Sequence, residues 1–245
     1  MAVQNFRDIT QNYTESSIDL FVKGNWVHVS SDHEKLPLAT YEETAQQIIS
    51  DSAASTKKEL EASIPFVRQF NRFWTEARLA RREFRSVKKG EDPIQFSSTS
   101  RQFSWLSNFF QTIIVDVQNN RVLPHLEAGY VAFKIDNLQG SGEASATAAS
   151  QIFDPKVCKR YGSGYVRTSP IENKASVAEV MRLAHLKFRQ NPVLEQMLIS
   201  SGDAKLEEHT ADTFWGTANG TYYVKSSNLL GQILTRVRTA FQPTI

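Results

Sequence analysis

Between residues 66 and 87 the apolar side chains Phe66, Phe70, Phe73, Trp74, Ala77, Ala80, Phe84 and Val87 recur at helical spacing. That period places them on one face of an α-helix and demands a core on that side. Pro65 suits the first turn, so the pattern predicts one long helix over 66–89. Its other face carries Arg68, Arg72, Arg78, Arg81, Arg82, Arg85, Lys88 and Lys89, opposed only by Glu76 and Glu83. Such a stripe either faces solvent or follows a phosphate backbone, which makes nucleic acid a candidate partner.

The segments around it are shorter and mixed. Ile18, Leu20 and Val22 alternate, Lys23-Gly24-Asn25 turns the chain, and Trp26 to Val29 returns, as in a hairpin. Thr40 with Glu43 has the form of a capping box and predicts a helix from Tyr41, with a break over the small, polar residues 50–56. Ile94 to Phe96 is strand-like. Thr112 to Val117, the pair Asn119-Asn120 and Arg121 to Leu123 form a second hairpin, and a helix follows from about His125 to Ile135. Residues 138–149 read as a loop whose end turns helical, and Tyr161 to Gly164 as another loop. Val177, Val180, Met181, Ala184 and Phe188 form a helical stripe. Asn191 caps a further helix that Gly202 ends, and a last helix spans about 228–240. The whole is an α+β chain, mainly helical with a few short antiparallel strands. Residues 1–92 read as an accessory region and 93–245 as the functional unit.

A chain of 245 residues that is 40% apolar can bury a core without staples, which excludes disordered and disulfide-scaffold classes. The lone cysteine, Cys158, makes no internal disulfide and no four-cysteine zinc site; it suits a reducing, cytoplasmic setting. No apolar run approaches the roughly 18 residues of a membrane span, so no membrane partner is expected. The net charge of +2 decides nothing about nucleic acid.

Nucleotide-loop motifs and metal-ligand spacings of histidine are absent from the sequence. What remains is Glu127 and Lys134 on one helix. A spacing of seven residues is nearly two turns and puts both on one face, either as two surface charges or leaning over one ligand. Polar residues also punctuate aromatic turns at Ser107-Asn108-Phe109, at Asp212 to Gly216 and at Asn228 to Gly231. Trp215 beside Gly216 can wall a flat ring. Asp212 is an acid or a turn-former, Asn228 a cap or a ligand contact, and Arg238 a phosphate contact or a structural group.

Taken in order, these residues resemble the NADAR family of YbiA-like domains. The resemblance runs over about 93–238. It rests on Phe96-Ser97-Ser98, Ser107-Asn108-Phe109, Pro124, Glu127, Tyr130, Ala132 and Lys134. It continues through Met181, Lys187, Phe188, Gln190, Asn191, Ser201-Gly202-Asp203, Leu206-Glu207-Glu208, Asp212 and Trp215-Gly216. It closes on Asn228, Leu230, Gly231, Leu234 and Arg238. Ala128 and Val131 stand where the family usually carries polar residues.

The resemblance implies a YbiA-like fold and an N-glycosidase that cleaves a ribose derivative, either ADP-ribose on guanine bases or a ribosylamino-pyrimidine, with no metal and no cofactor. It implies Glu127, Lys134 and Asp212 as catalytic residues. Ser107, Asn108, Phe109, Tyr130, Trp215, Gly216, Asn228 and Gly231 would hold the substrate. Breaking the bond puts positive charge on the ribose C1, which a carboxylate stabilises, while a neutral lysine can attack C1. Burial would lower the Lys134 pKa to make that amine available. Competing readings are a nucleotide-binding protein without turnover, which Ala128 and Val131 favour, and a phage-type structural protein.

Overall fold

The computed structural model describes residues 13–14, 17–22, 25–30, 36–137, 143–164, 170–220 and 225–242. The expected turn residues Lys23 and Gly24, most of the 32–37 loop and the start of the 138–149 segment lie outside them.

The first hairpin is present as β1 (Ser17–Val22) and β2 (Asn25–Ser30), antiparallel with Ile18 opposite Val29. Helix α1 (Leu38–Ser52) starts three residues earlier than expected, with Pro37 at its N-cap and no side-chain cap. The capping box belongs instead to α2 (Lys57–Ala80), where Thr56 accepts from the Glu59 amide and Glu59 reaches back to the Thr56 amide. Pro65 therefore lies inside α2 and not at its start.

The expected helix over 66–89 is corrected at its other end too. It stops at Ala80 in a Schellman turn: Arg82 takes φ 57°, the Glu83 amide donates to Arg78 O and the Arg82 amide to Leu79 O. Phe84 and Val87 pack back onto the core from the loop beyond. The basic stripe is consequently broken up. Arg78 pairs with Glu83 and Arg85 with Glu91, while Arg68 donates to the Arg189 carbonyl.

The second part opens with β3 (Ile94–Phe96), a 3₁₀ turn at Ser104–Leu106, and the hairpin of β4 (Ile114–Asp116) and β5 (Arg121–Leu123). Helices α3 (Leu126–Asp136), α4 (Glu143–Ser150), α5 (Pro155–Ser163), α6 (Pro170–Arg189) and α7 (Pro192–Ser200) follow. Strand β6 (Leu206–Glu208) and helix α8 (Leu229–Phe241) close the chain. The expected loop at Tyr161 to Gly164 is mostly the last turn of α5, because Asp154 caps that helix and Pro155 occupies its first turn. Gly162 lets α5 meet α3 closely: a Cβ there would stand 2.8 Å from the Val131 side chain.

One strand pair departs from the antiparallel expectation. β6 returns to β3 in parallel, Ile94 opposite Leu206, across more than a hundred residues of intervening chain. Among the described residues the apolar core falls into three clusters. The largest packs α6, α7 and α8 around Trp105, Phe110 and Phe188. A second joins the N-terminal hairpin, α1 and α2 to Ile113, Val115 and Val122 of the second hairpin. The accessory region thus shares its core with the functional unit.

Buried amides tie that junction. Asn71 on α2 donates to Ile113 O and accepts from the Ile113 amide. Gln190 does the same with Val115. Both stand in for a neighbouring strand along β4, and backbone groups left unpaired there would destabilise by about 1–3 kcal/mol each.

Candidate active site

A cleft of about 580 Å³ opens where α3, the 107–109 turn, α5, the end of β6 and the 210–215 turn converge. It is within the usual range for small-molecule sites. Glu127, Lys134, Asp212, Ser107, Asn108, Phe109, Tyr130 and Trp215 all line it, so the structure brings together eight of the eleven residues the sequence pointed to.

Glu127 sits in the first turn of α3, and its amide donates to the Asn108 carbonyl at 3.1 Å, fixing the aromatic turn against the helix. His125 starts that helix. Its Nδ1 accepts from the Ala128 amide at 3.0 Å, so the neutral ring carries its proton on Nε2, which meets the Ile152 carbonyl at 3.0 Å. Burial holds His125 down at about 4, neutral under ordinary conditions.

The Glu127 side chain is 6% exposed. Burial raises its pKa; Lys134 and Lys159 oppose that and Asp212 adds to it. Lys134, half-buried, has its pKa lowered by burial against the pull of Glu127. Its Nζ lies 4.4 Å from the centre of the Tyr130 ring. Tyr130 meets Trp215 edge to face at 5.5 Å. Trp215 in turn meets Phe214 at 4.9 Å. Tyr130 and Trp215 are one wall of the cleft.

Ser107 accepts from the Phe109 amide at 3.2 Å. Its carbonyl and that of Trp105 receive the buried Lys187 ammonium at 2.8 and 2.7 Å. The lysine pegs the turn in place from behind; burial and the nearby Arg78 lower its pKa to about 7. Asp212 is the turn-former: one carboxylate oxygen accepts from the Phe214 and Trp215 amides, both at 2.8 Å, with the side chain on the cleft rim.

Gly216, Asn228 and Gly231 do not line the cleft; they support it. Asn228 accepts from the Glu208 amide at 3.0 Å and donates to the Leu206 carbonyl at 2.9 Å, clamping β6. A Cβ on Gly231 would stand 2.1 Å from the Leu206 carbonyl, and one on Gly216 2.8 Å from the Glu208 carbonyl. Arg238 is structural, bonded to Ser201 Oγ and the Ala204 carbonyl. Ala128 and Val131 pack away from the cleft, in the cluster with α4 and Cys158, so they leave its lining unchanged.

Sequence reasoning missed Glu208 as a site residue. It is mostly buried in the cleft wall, and burial, together with the charges of Asp212 and Glu127, raises its pKa to about 7. Among the described residues four buried side-chain polar atoms lack a hydrogen-bond partner. Three of them, Glu208 Oε2, Asn108 Oδ1 and Thr210 Oγ1, belong to residues lining this cleft. Native chains rarely leave such atoms unpaired, and three of these four gather around one cleft.

Two buried carboxyl groups, an amine and edge-to-face aromatic rings thus meet in one cleft. The chain belongs to the NADAR domain family, whose model matches residues 95–242. It is 33% identical over 150 residues to N-glycosidase YbiA of Escherichia coli, an alignment covering 59% of this chain and 86% of that one. It is 30% identical over 155 residues to riboflavin biosynthesis protein VVA0006 of Vibrio vulnificus, covering 62% of this chain but only 39% of that relative's length. The NMR structure of the E. coli protein YbiA is similar with a TM-score of 0.51 at 26% identity, covering 63% of this chain and 87% of that one. The mainly helical architecture with a few short strands is thus the YbiA-like fold. No helix among the described residues is long and apolar enough to cross a membrane.

Proposed function

We propose that this chain is an N-glycosidase that cleaves the bond between C1 of a ribose and a nitrogen of a heterocycle, its substrate being ADP-ribose on guanine bases or a ribosylamino-pyrimidine. The observation that carries the reading is the pairing of Glu127 with Glu208 in one cleft where unpaired polar atoms cluster.

Each group has a task that follows from its surroundings. As the C1–N bond breaks, C1 becomes positive and the leaving nitrogen becomes basic. In its carboxylate form, which the charges of Lys134 and Lys159 favour against burial, Glu127 stabilises the positive charge at C1. Glu208 holds its proton near neutral pH and donates it to the leaving nitrogen. Two carboxyl groups with separate tasks are the arrangement glycoside hydrolysis requires. Lys134 offers a second route: its neutral amine bonds to C1 as the C1–N bond breaks and Glu208 protonates the leaving nitrogen; the C1–O4′ bond then breaks, the amine's N–H proton passes to O4′, and water hydrolyses the resulting imine. Tyr130 and Trp215 exclude water and wall the sugar.

Borohydride reduction during turnover, followed by mass spectrometry, separates the routes. An adduct on Lys134 establishes the covalent one, and its absence during active turnover assigns the reaction to the carboxylates. Failure to release base from either ADP-ribosylated guanine DNA or a ribosylamino-pyrimidine would refute the glycosidase reading.

A further inference from the structure

A second cavity of about 470 Å³ abuts the cleft, and Phe109 and Ser98 line both. Its far side is built by α1, which precedes the family-matched residues: Glu42 and Gln46, one turn apart, border it with exposed side chains. Its floor contains Arg78, whose guanidinium lies 4.1 Å from the centre of the Phe110 ring and is held by Glu83 at 2.6 Å and by the Gln111 carbonyl at 3.1 Å.

The chemistry favours a flat, neutral heterocycle. The Phe109 and Phe153 rings that line the cavity are surfaces on which a base stacks, while the Arg78 guanidinium is already packed among Phe110, Phe84 and Trp74. Glu42 accepts from N–H groups and Gln46 both donates and accepts, which suits the edge of an amino-substituted ring. A phosphate is disfavoured. The one helix N-terminus that borders the cavity, that of α5, is already occupied by the Asp154 carboxylate, which accepts from the Lys156 and Val157 amides at 2.7 and 3.1 Å. Glu42 adds a second negative group, so that the charges of Glu42 and Asp154 balance those of Arg78 and Lys156 and the lining suits a neutral ring.

We propose that this cavity is an aglycone subsite: it seats the heterocycle attached to the anomeric carbon while the sugar occupies the cleft, and α1 makes the chain selective for rings bearing N–H donors. The proposal rests on the N-glycosidase reading for the sugar's position. The accessory region then has a chemical role that a family-sized domain alone lacks.

The test is a fluorescence titration of the full chain with 2-aminopurine, an amino-substituted heterocycle whose emission falls on stacking. Saturable quenching is expected. Replacing Glu42→Ala together with Gln46→Ala should weaken binding tenfold or more, and saturating ribose 5-phosphate, a sugar without a base, should not displace the probe. Both substituted positions are exposed, and an unchanged circular dichroism spectrum shows that the fold is kept. Absence of quenching, indifference to the double substitution, or displacement by ribose 5-phosphate would each overturn the subsite. The titration needs no turnover. Inactivity on every N-riboside therefore counts against the glycosidase reading, and binding that ignores α1 counts against this one.

Discussion

Replacing Glu208→Gln should make the protein more stable above neutrality and inactive. The native carboxyl is raised from its ordinary 4.5 to about 7 by burial and by Asp212 and Glu127. A group raised in this way binds its proton more tightly in the folded chain than in the unfolded one. Between those two pH values the folded state holds more protons, so stability falls as pH rises through the window and stays low above it. The loss is about 3 kcal/mol once the carboxylate is charged in both states. Glutamine is the isostere of the protonated acid and carries no charge to bury. At pH 8 the variant should therefore unfold with a free energy up to about 3 kcal/mol higher than the native chain, which for a chain of this size raises Tm by about 6–12 °C. Near pH 4.5 the two should coincide. Urea denaturation at pH 4.5, 6 and 8 measures the difference, and turnover of an N-riboside measures the activity. A variant no more stable than the native chain at pH 8 would refute the claim that this carboxyl is held strained for function. So would a variant that keeps full turnover with an unchanged pH profile.

His125 should give a slope of the opposite sign. Its pKa falls to about 4 from an ordinary 6.5, so it contributes stability above 6.5 that is lost as pH drops toward 4, again by about 3 kcal/mol. In the Glu208→Gln background, where the opposing slope is gone, denaturation midpoints should fall across that window, and His125→Asn in the same background should remove the fall. Gly231→Ala forces a methyl to 2.1 Å from the Leu206 carbonyl and should cost about 1–3 kcal/mol, with KM and kcat both degraded because β6 carries Glu208; an unaltered urea midpoint would count against the clamp. Lys134→Met should abolish the borohydride-trapped adduct while 2-aminopurine still binds, and an adduct that persists would place the nucleophile elsewhere.

The elements with long apolar stripes were legible: α2, α6 and α8 follow their patterns because a packed face leaves a period in the chain. Their ends were less so. Thr40-Glu43 and Thr56-Glu59 have the same capping spacing, and the chain uses only the second, since α1 already begins at Leu38. Arg82 gave no sign of a left-handed helix end, a place usually held by glycine.

At the site, the seven-residue spacing of Glu127 and Lys134 and the aromatic turns were readable because they are local. Glu208 was not. It stands beside Glu207, which pairs with Lys205 at the surface, and only the facing of a three-residue strand separates them. That facing is set by parallel pairing with β3, a long-range contact with no signature in the residues themselves. The support that Asn228 and Gly231 give β6 was not readable for the same reason, as their partner is that strand.

The Asn228 clamp has one more consequence. A strand with an open side offers its amides and carbonyls to any extended chain that passes, and short sheets are exposed to this hazard. On the side of β6 away from β3, the Leu206 carbonyl and the Glu208 amide are taken by Asn228, and the Glu208 carbonyl by the amide and hydroxyl of Thr217. Asn228 and Thr217 together thus occupy the edge where a further strand would otherwise add.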